Sequence, residues 1–289
     1  MAKKKKIGIV ILHYKNIKDT KECLKSVSHA EKKDLDVKVF LIKNTPKKNL
    51  GFAGGNNLGI KKALKWGADY LILLNNDTKV SKKLFINLTA QTEANKKIGI
   101  LSPKIYFEKG YEFHKKRYKK ADLGRVIWYA GGKIDWDNVY TNHRGVDEVD
   151  HGQYNKLAQT ELASGCCMLI KPFVFKRIGF LDKKYFLYWE DADFCIRAKS
   201  AGIEVFYTPK AYLWHKNAGG SSVGSALHDY YMTRNRLLFG FRYAPFRTKL
   251  ALSRESIKKL LAGRKWERIG VKDFWLKRLG KGSYRSNQA

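Results

Sequence analysis

Apolar residues in this chain arrive in short unbroken runs, separated by stretches with helical spacing. KIGIVILHY, from Lys6 to Tyr14, is a continuous run of the kind that fills a central strand covered on both faces. KDTKECLKSV behind it sets Cys23, Leu24 and Val27 on one side of a helix. VKVFLIKN supplies a second strand, GFAGGNNLGIKKALKWG a glycine-rich loop running into a helix that stops at Gly67, and DYLILLNND a third strand. This alternation predicts a doubly wound α/β fold, a Rossmann-like and mostly parallel sheet flanked by helices. From Tyr106 to about Thr160 the pattern breaks into short polar pieces, and periodicity assigns no element there. SGCCMLI then reads as a buried strand and YWEDADFCIRAKSAG as a helix entered through acids and closed by Gly202. IEVFYTPKAYLWH reads as two strand pieces broken at Pro209. The core is expected to end near Gly240, dividing the chain into a main domain of 1–240 and a tail of 241–289.

The polar residues that follow the strands carry the candidate chemistry. In LILLNNDT the buried run Leu71 to Leu74 passes directly into Asn75, Asn76 and Asp77, and ligands of open α/β sheets sit beyond such carboxyl ends. Asp77 with a nearby amide oxygen suits a divalent cation whose other ligands are phosphates and water; a plain Asn-Asp turn is the competing reading. The glycines of NLGFAGGNNLG let backbone approach a ligand ahead of a helix N-terminus, although the spacing is neither the dinucleotide fingerprint nor the P-loop. Glu190, Asp191 and Asp193 crowd one first turn, where a single acid satisfies the helix dipole and further acids repel one another. Asp193 can pair with Arg197 four residues on, which leaves Glu190 and Asp191 unexplained beside Tyr188 and Trp189, an apolar wall or stacking platform for a sugar. His215 ends an apolar strand and precedes Gly219, Gly220, Ser221 and Ser222, a loop able to fold over a ligand.

Charge changes the picture next. Lys and Arg number 58 against 26 Asp and Glu, a formal net charge of +32 in 289 residues. Such an excess attracts polyanions, whether nucleic acid, anionic lipid or phosphorylated small molecules, and it also arises from a merely solubilising surface. The four cysteines lack metal-finger or Cys-x-x-Cys spacing and read as reduced, buried residues of a cytoplasmic protein. No apolar stretch approaches the length of a membrane span, about 20 residues. Residues 241–289 hold fourteen Lys/Arg and three Asp/Glu, a net of +11. There Val271, Phe274, Trp275 and Leu279 have the spacing of a basic amphipathic helix, which lies on an anionic membrane surface or packs on the domain.

Taken together, NLGFAGGNNLGI, GADYLILLNNDT, YAGGKID, FLDKKYFLYWEDADFCIRAKSAG, WHKNAGGSS and TRNRLLF resemble the family 2 glycosyltransferases, in particular their rhamnosyltransferase-like bacterial branch. The resemblance covers Lys6 to about Phe239. It implies a GT-A fold, a nucleotide-diphosphate sugar donor, a glycan or lipid-linked acceptor, a divalent cation (Mg2+ or Mn2+) and inversion at the anomeric carbon. Carried onto this sequence, it makes Asp191 the general base and Glu190 its acceptor-binding neighbour. Asp77 becomes a metal ligand, with His215 a further metal or diphosphate contact. His13, Tyr14, Gly54, Gly55, Asn57, Asn75 and Asn76 then line the donor site, and Trp189 and Gly165 face the acceptor. Two departures stand out. FLIKNTPKKNLGF offers Lys43 where the family has an acid that contacts the nucleobase, and the opening reads LHYKN where the family often has Tyr-Asn. A member that binds nucleotide sugar without turning it over is therefore the runner-up. A nucleic-acid-binding protein has only the charge in its favour and no recognition module, so no nucleic acid is expected.

Overall fold

The computed structural model describes residues 3–45, 47–216 and 224–285. In chain order the elements are β1 (Lys5–His13), α1 (Ile17–His29), β2 (Leu35–Lys43), α2 (Gly51–Lys65), β3 (Tyr70–Asn75), β4 (Thr78–Val80), α3 (Leu84–Ala94) and β5 (Ile98–Phe107). There follow β6 (Ile127–Tyr129), β7 (Gly132–Asp135), β8 (Tyr140–His143), β9 (Ala158–Gln159), β10 (Cys167–Ile170), α4 (Pro172–Ile178), α5 (Glu190–Ser200) and β11 (Glu204–His215). Three helices close the chain, α6 (Ala226–Tyr243), α7 (Phe246–Ala262) and α8 (Lys265–Trp275).

The central sheet runs β2-β1-β3-β10-β5-β11-β4, with β6 on β5 and β9 on β11, and β7 and β8 form a separate hairpin. On the main path β2, β1, β3, β5 and β11 share one direction, while β10 and β4 oppose them. The sheet is thus mostly parallel, as the strand-helix alternation predicts. Side chains alternate across it. Ile7, Ile9, Ile11, Ile72 and Leu74 pack on one face with Cys23 of α1 and Leu84 and Leu88 of α3. Val10, Leu71 and Leu73 pack on the other with Ile60 of α2, Val174 of α4 and Phe194 of α5. Both faces are covered, which is why these strands read as unbroken apolar runs.

Three local expectations are corrected. The glycine-rich stretch is not a loop: it is helical from Gly51 onward, and Gly54, Gly55 and Gly59 are buried within α2. A Cβ on Gly55 would lie 2.4 Å from Leu12, and one on Gly59 would lie 2.2 Å from Val10, so these glycines let α2 lie close against β1. IEVFYTPKAYLWH is one strand, β11, whose register against β5 slips between Thr208 and Tyr212, so the sheet absorbs Pro209 in a bulge. The segment 106–160, unassigned by periodicity, holds β6 to β9, two to four residues each and too short for a repeating signal.

Beyond the sheet, α6, α7 and α8 make a third layer with its own apolar cluster around Trp189, Leu237, Phe239, Leu252 and Val271. Gly240 lies inside α6, so a division at 240 cuts a continuous helix. Of the two readings of the α8 face, packing on the domain is the one seen for Val271, which is fully buried, and for Phe274 and Leu279, which join the same cluster. The chain end is tied down too: Asp273 takes hydrogen bonds from Tyr230 of α6 and, at 2.8 and 2.9 Å, from the backbone and hydroxyl of Ser283. No helix among the described residues is long and apolar enough to cross a membrane.

The packing of α2 on β1 yields a test. Replacing a helical glycine by alanine stabilises an exposed helix by about 1 kcal/mol. At position 59 the new methyl meets Val10 and Ile42 in a filled core, where overpacking costs about 1–3 kcal/mol. We expect Gly59→Ala to lower the urea midpoint at unchanged slope, and Gly54→Ala, whose methyl would meet only Leu50 at 3.1 Å among close neighbours, to lose less.

Candidate active site

Asn75 is the last residue of β3, and its backbone N–H donates to the carbonyl of Cys166 at 2.9 Å. The chain then turns, and Asp77 meets the end of β11: His215 Nε2 lies 3.1 Å from Asp77 Oδ1, and the Lys216 N–H donates to the Asp77 carbonyl at 3.0 Å. Burial opposes the ionisation of Asp77, but the His215 imidazole and the Lys216 ammonium outweigh it and hold the carboxyl below its usual range. Trp128 stands edge-on to the His215 ring at 4.7 Å, and the second ring nitrogen, Nδ1, is buried with no hydrogen-bond partner among the described residues. Lys216 in turn bridges Asp19 and Glu22 of α1, at 2.8 and 2.5 Å. Beside them lies a cleft of about 460 Å³ whose lining includes Asp77, Lys25, Lys79, Lys82 and Lys216.

One oxygen and one imidazole nitrogen this close together fit a divalent cation that draws its remaining ligands from phosphate and water. Among the described residues no group of three or more His, Cys, Asp or Glu side chains gathers, so the protein's share would be this pair.

The acids at the start of α5 reach the same place from the other side. Asp191 Oδ2 accepts from the Gly165 N–H at 2.9 Å, and Gly165 precedes the Cys166 whose carbonyl holds Asn75. Cys166 also senses both carboxylates, since the charges of Asp77 and Asp191 add to burial in raising its thiol pKa. Burial raises the Asp191 pKa, and hydrogen bonds from the Gly165 and Ala192 backbone partly offset that rise. Glu190 is more extreme. Burial first and the neighbouring Asp191 second push its pKa far up, and its Oε2 is buried without a partner among the described residues. Asp193 is fully engaged elsewhere, by Arg197 at 2.8 Å, Tyr243 at 2.7 Å and Arg242 at 3.2 Å, which leaves Glu190 and Asp191 as the free pair.

No family model matches the chain. The low-salt glycan biosynthesis hexosyltransferase Agl10 of Haloferax volcanii is 26% identical over 214 residues, 73% of this chain and 59% of that protein. The dTDP-rhamnosyl transferase RfbF of Shigella flexneri is 23% identical over 66% of this chain and 60% of its own length, and the rhamnosyltransferase WbbL of Escherichia coli 32% identical over 37% and 34%. The chain is thus similar to hexosyl- and rhamnosyltransferases over most of its length. Among solved structures, GalNAc-T7 with UDP, GalNAc and Mn2+ superposes with a TM-score of 0.62 at 12% identity, covering 94% of this chain and 54% of that one; at that identity the likeness shows the GT-A fold alone. The chain spans about three fifths of the length of the Haloferax and Shigella relatives.

Other residues singled out in the sequence are placed unevenly. His13 Nδ1 and Asn76 Nδ2 both meet the buried Thr20 hydroxyl, at 2.7 and 2.9 Å, which joins the ends of β1 and β3. Tyr14 follows at the same edge, half buried. Gly54 and Gly55 are packing residues inside α2, and the amides of its first turn are not open to a phosphate, since those of Phe52 and Ala53 point at the Phe186 carbonyl at 2.6 and 3.4 Å. Asn57 likewise spends both side-chain groups on the backbone of Leu181, at 2.8 and 3.1 Å. Trp189 offers no platform to a sugar: it is buried against Phe239, with ring centroids 4.9 Å apart. The loop of Gly219 to Ser222 lies outside the described residues.

What the residue patterns did not single out is the device that aims α5. Phe186, Tyr188 and Trp189 all have φ between 66° and 75°, the left-handed region that costs a non-glycine residue about 1 kcal/mol or more. Asn235, fully buried in α6, donates from one amide nitrogen to the carbonyls of Tyr185, Leu187 and Tyr188 at 2.8, 2.7 and 3.0 Å. Arg234 adds contacts to Tyr185 and Lys184, at 3.0 and 3.3 Å. The available signal was an Arg-Asn pair in TRNRLLF ahead of apolar residues, but its partners lie some fifty positions away. In Asn235→Leu the Leu187 and Tyr188 carbonyls lose this donor, each at a cost of about 1–3 kcal/mol. We expect a matching drop in unfolding free energy, with faster amide hydrogen exchange over 185–191.

Proposed function

We propose that the chain is a metal-dependent, inverting glycosyltransferase that moves a sugar from a nucleoside-diphosphate donor to a hydroxyl of a glycan or lipid-linked acceptor in cell-surface polysaccharide synthesis. The observation that carries this reading is the meeting of Asp77 and His215 at 3.1 Å, one hydrogen-bonded turn from Asp191 through Gly165 and Cys166. The names of the relatives support the sugar-transfer class and the rhamnosyl or hexosyl range of donors.

In this reading Asp191 is the general base. Its carboxylate takes the proton of the acceptor hydroxyl as that oxygen forms a bond to the anomeric carbon. The carbon–oxygen bond to the diphosphate breaks on the opposite side, and the bonding pair leaves with the nucleoside diphosphate. The Gly165 N–H holds the base in place, and Glu190, kept protonated by burial and by the charge beside it, is a hydrogen-bond donor for an acceptor oxygen. Asp77 and His215 would hold the divalent cation, which neutralises negative charge on the departing diphosphate. Asn75 and Asn76 border the donor, and Lys43, exposed at the end of β2 in register with His13, is placed to meet an anionic part of it.

The test is release of nucleoside diphosphate from a panel of nucleotide sugars with Mg2+ or Mn2+. We expect Asp191→Asn to lower kcat by at least about 100-fold, in line with the loss of a positioned base, and Asp77→Asn to reproduce the loss caused by a chelator. Binding of nucleotide sugar without release in the native chain would instead support the non-catalytic reading. The pH profile has a definite sign. The Asp191 pKa is raised, so the base is protonated earlier on acidification than an exposed Asp. The acid limb of kcat/KM should therefore lie above the usual Asp range of about 4.

A further inference from the structure

The outer side of α7 presents a second surface. Phe246, Leu250, Ile257 and Leu261 are 75%, 46%, 60% and 78% exposed. At 100° per residue they fall within about 60° of arc, a single stripe along a helix about 25 Å long. Thr248, Leu252 and Ser256 occupy the opposite, buried side, so the stripe is surplus to the packing of α7 on the domain. Isolated exposed apolar residues are ordinary, but four in line on one helix are not.

The charges around the stripe say what covers it. Arg247, Arg254 and Lys258 border it on one side and Lys249 on the other, and none of the four makes an ion pair among the described residues. The acids of this region are all turned away. Glu255 pairs with Arg236 at 2.6 Å, Glu267 with Lys259 at 2.5 Å, and Asp273 is buried against Tyr230 and Ser283. Around α7 the carboxylates are thus paired inward, while Arg247, Lys249, Arg254 and Lys258 remain without an ion pair among the described residues.

We propose that the outer face of α7 lies on an anionic lipid bilayer, with Phe246, Leu250, Ile257 and Leu261 entering the headgroup boundary and the flanking cations meeting lipid phosphates. An apolar stripe bordered by Arg and Lys is the arrangement of an interfacial helix, and a protein or nucleic-acid partner accounts for only one half of it. The face differs from the α8 one read in the sequence, whose Val271 is turned into the core. The proposal goes beyond sugar transfer and stands or falls without it.

The full chain is sedimented with phosphatidylcholine vesicles, with and without phosphatidylglycerol. We expect binding to the anionic vesicles that weakens with salt, and a fall of tenfold or more in Phe246→Ser/Ile257→Ser/Leu261→Ser. Arg254→Glu/Lys258→Glu should lose the preference for phosphatidylglycerol. Hydrogen exchange of the native chain gives a readout that needs no variant, as vesicles should slow exchange within 246–262 more than elsewhere. The proposal is overturned if the triple variant partitions like the native chain, or if exchange in 246–262 is unchanged. It is overturned equally if the native chain is a dimer that the triple variant dissociates and no vesicle binding is seen, or if duplex DNA rather than lipid protects the helix.

Discussion

The arrangement rests on one strained turn. Phe186, Tyr188 and Trp189 are held in left-handed conformations that bulky side chains avoid, and together they cost several times what a single such residue costs. Asn235 and Arg234 take its carbonyls from one side, and the first turn of α2 takes the Phe186 carbonyl from the other. Gly51 has φ +71°, and a Cβ there would stand 2.3 Å from that carbonyl, so the contact between α2 and the turn requires a glycine. The turn delivers Glu190 and Asp191 to the end of β3. Its supports come from both the α/β sheet and the C-terminal helical layer, so that layer is part of what positions the acids.

The sheet was legible in the sequence because both of its faces are covered. β1, β3 and β10 showed as apolar runs, and the reading of Asp77, Asp191 and His215 as members of one site followed from the resemblance to family 2 glycosyltransferases. Short strands between 106 and 160 left no period to detect, and the glycines of α2 resembled a phosphate loop since a close-packed helix and a ligand-approach loop both require missing side chains. Trp189 shows another limit. Beside two acids it read equally as an apolar wall and as a sugar platform, and only the positive φ that turns its ring onto Phe239 decides the matter. The clamp from α6 was illegible for a simpler reason: hydrogen bonds spanning about fifty residues leave no local pattern.

Net charge proved a poor guide until its distribution was known. A total of +32 pointed to polyanions without choosing one. In the folded chain, Lys104 is buried against Asp150 and Asn155, and Lys216 against α1, so part of the positive charge is internal structure. Around α7 and α8 the reverse holds, with acids consumed by inward pairs and cations left outward. Such exposed charges are weak as stabilising pairs and effective as a field, which acts on partners over about a Debye length.

The adjacent acids at the start of α5 are best understood as one unit with unequal members. Both are removed from water, and two neighbouring carboxylates in such a place do not ionise with equal ease. The hydrogen bonds decide which one carries the charge. Asp191 receives the N–H groups of Gly165 and Ala192, donors that stabilise an anion, whereas Glu190 Oε2 faces no donor among the described residues. Burial first and the Asp191 carboxylate second raise the Glu190 pKa, while the backbone amides hold down that of Asp191. On the proposed reading, these two backbone amides divide the labour of the pair between a base and a hydrogen-bond donor. Because Gly165 supplies one of them and precedes the Cys166 that holds Asn75, the same short segment contacts both Asp191 and the end of β3.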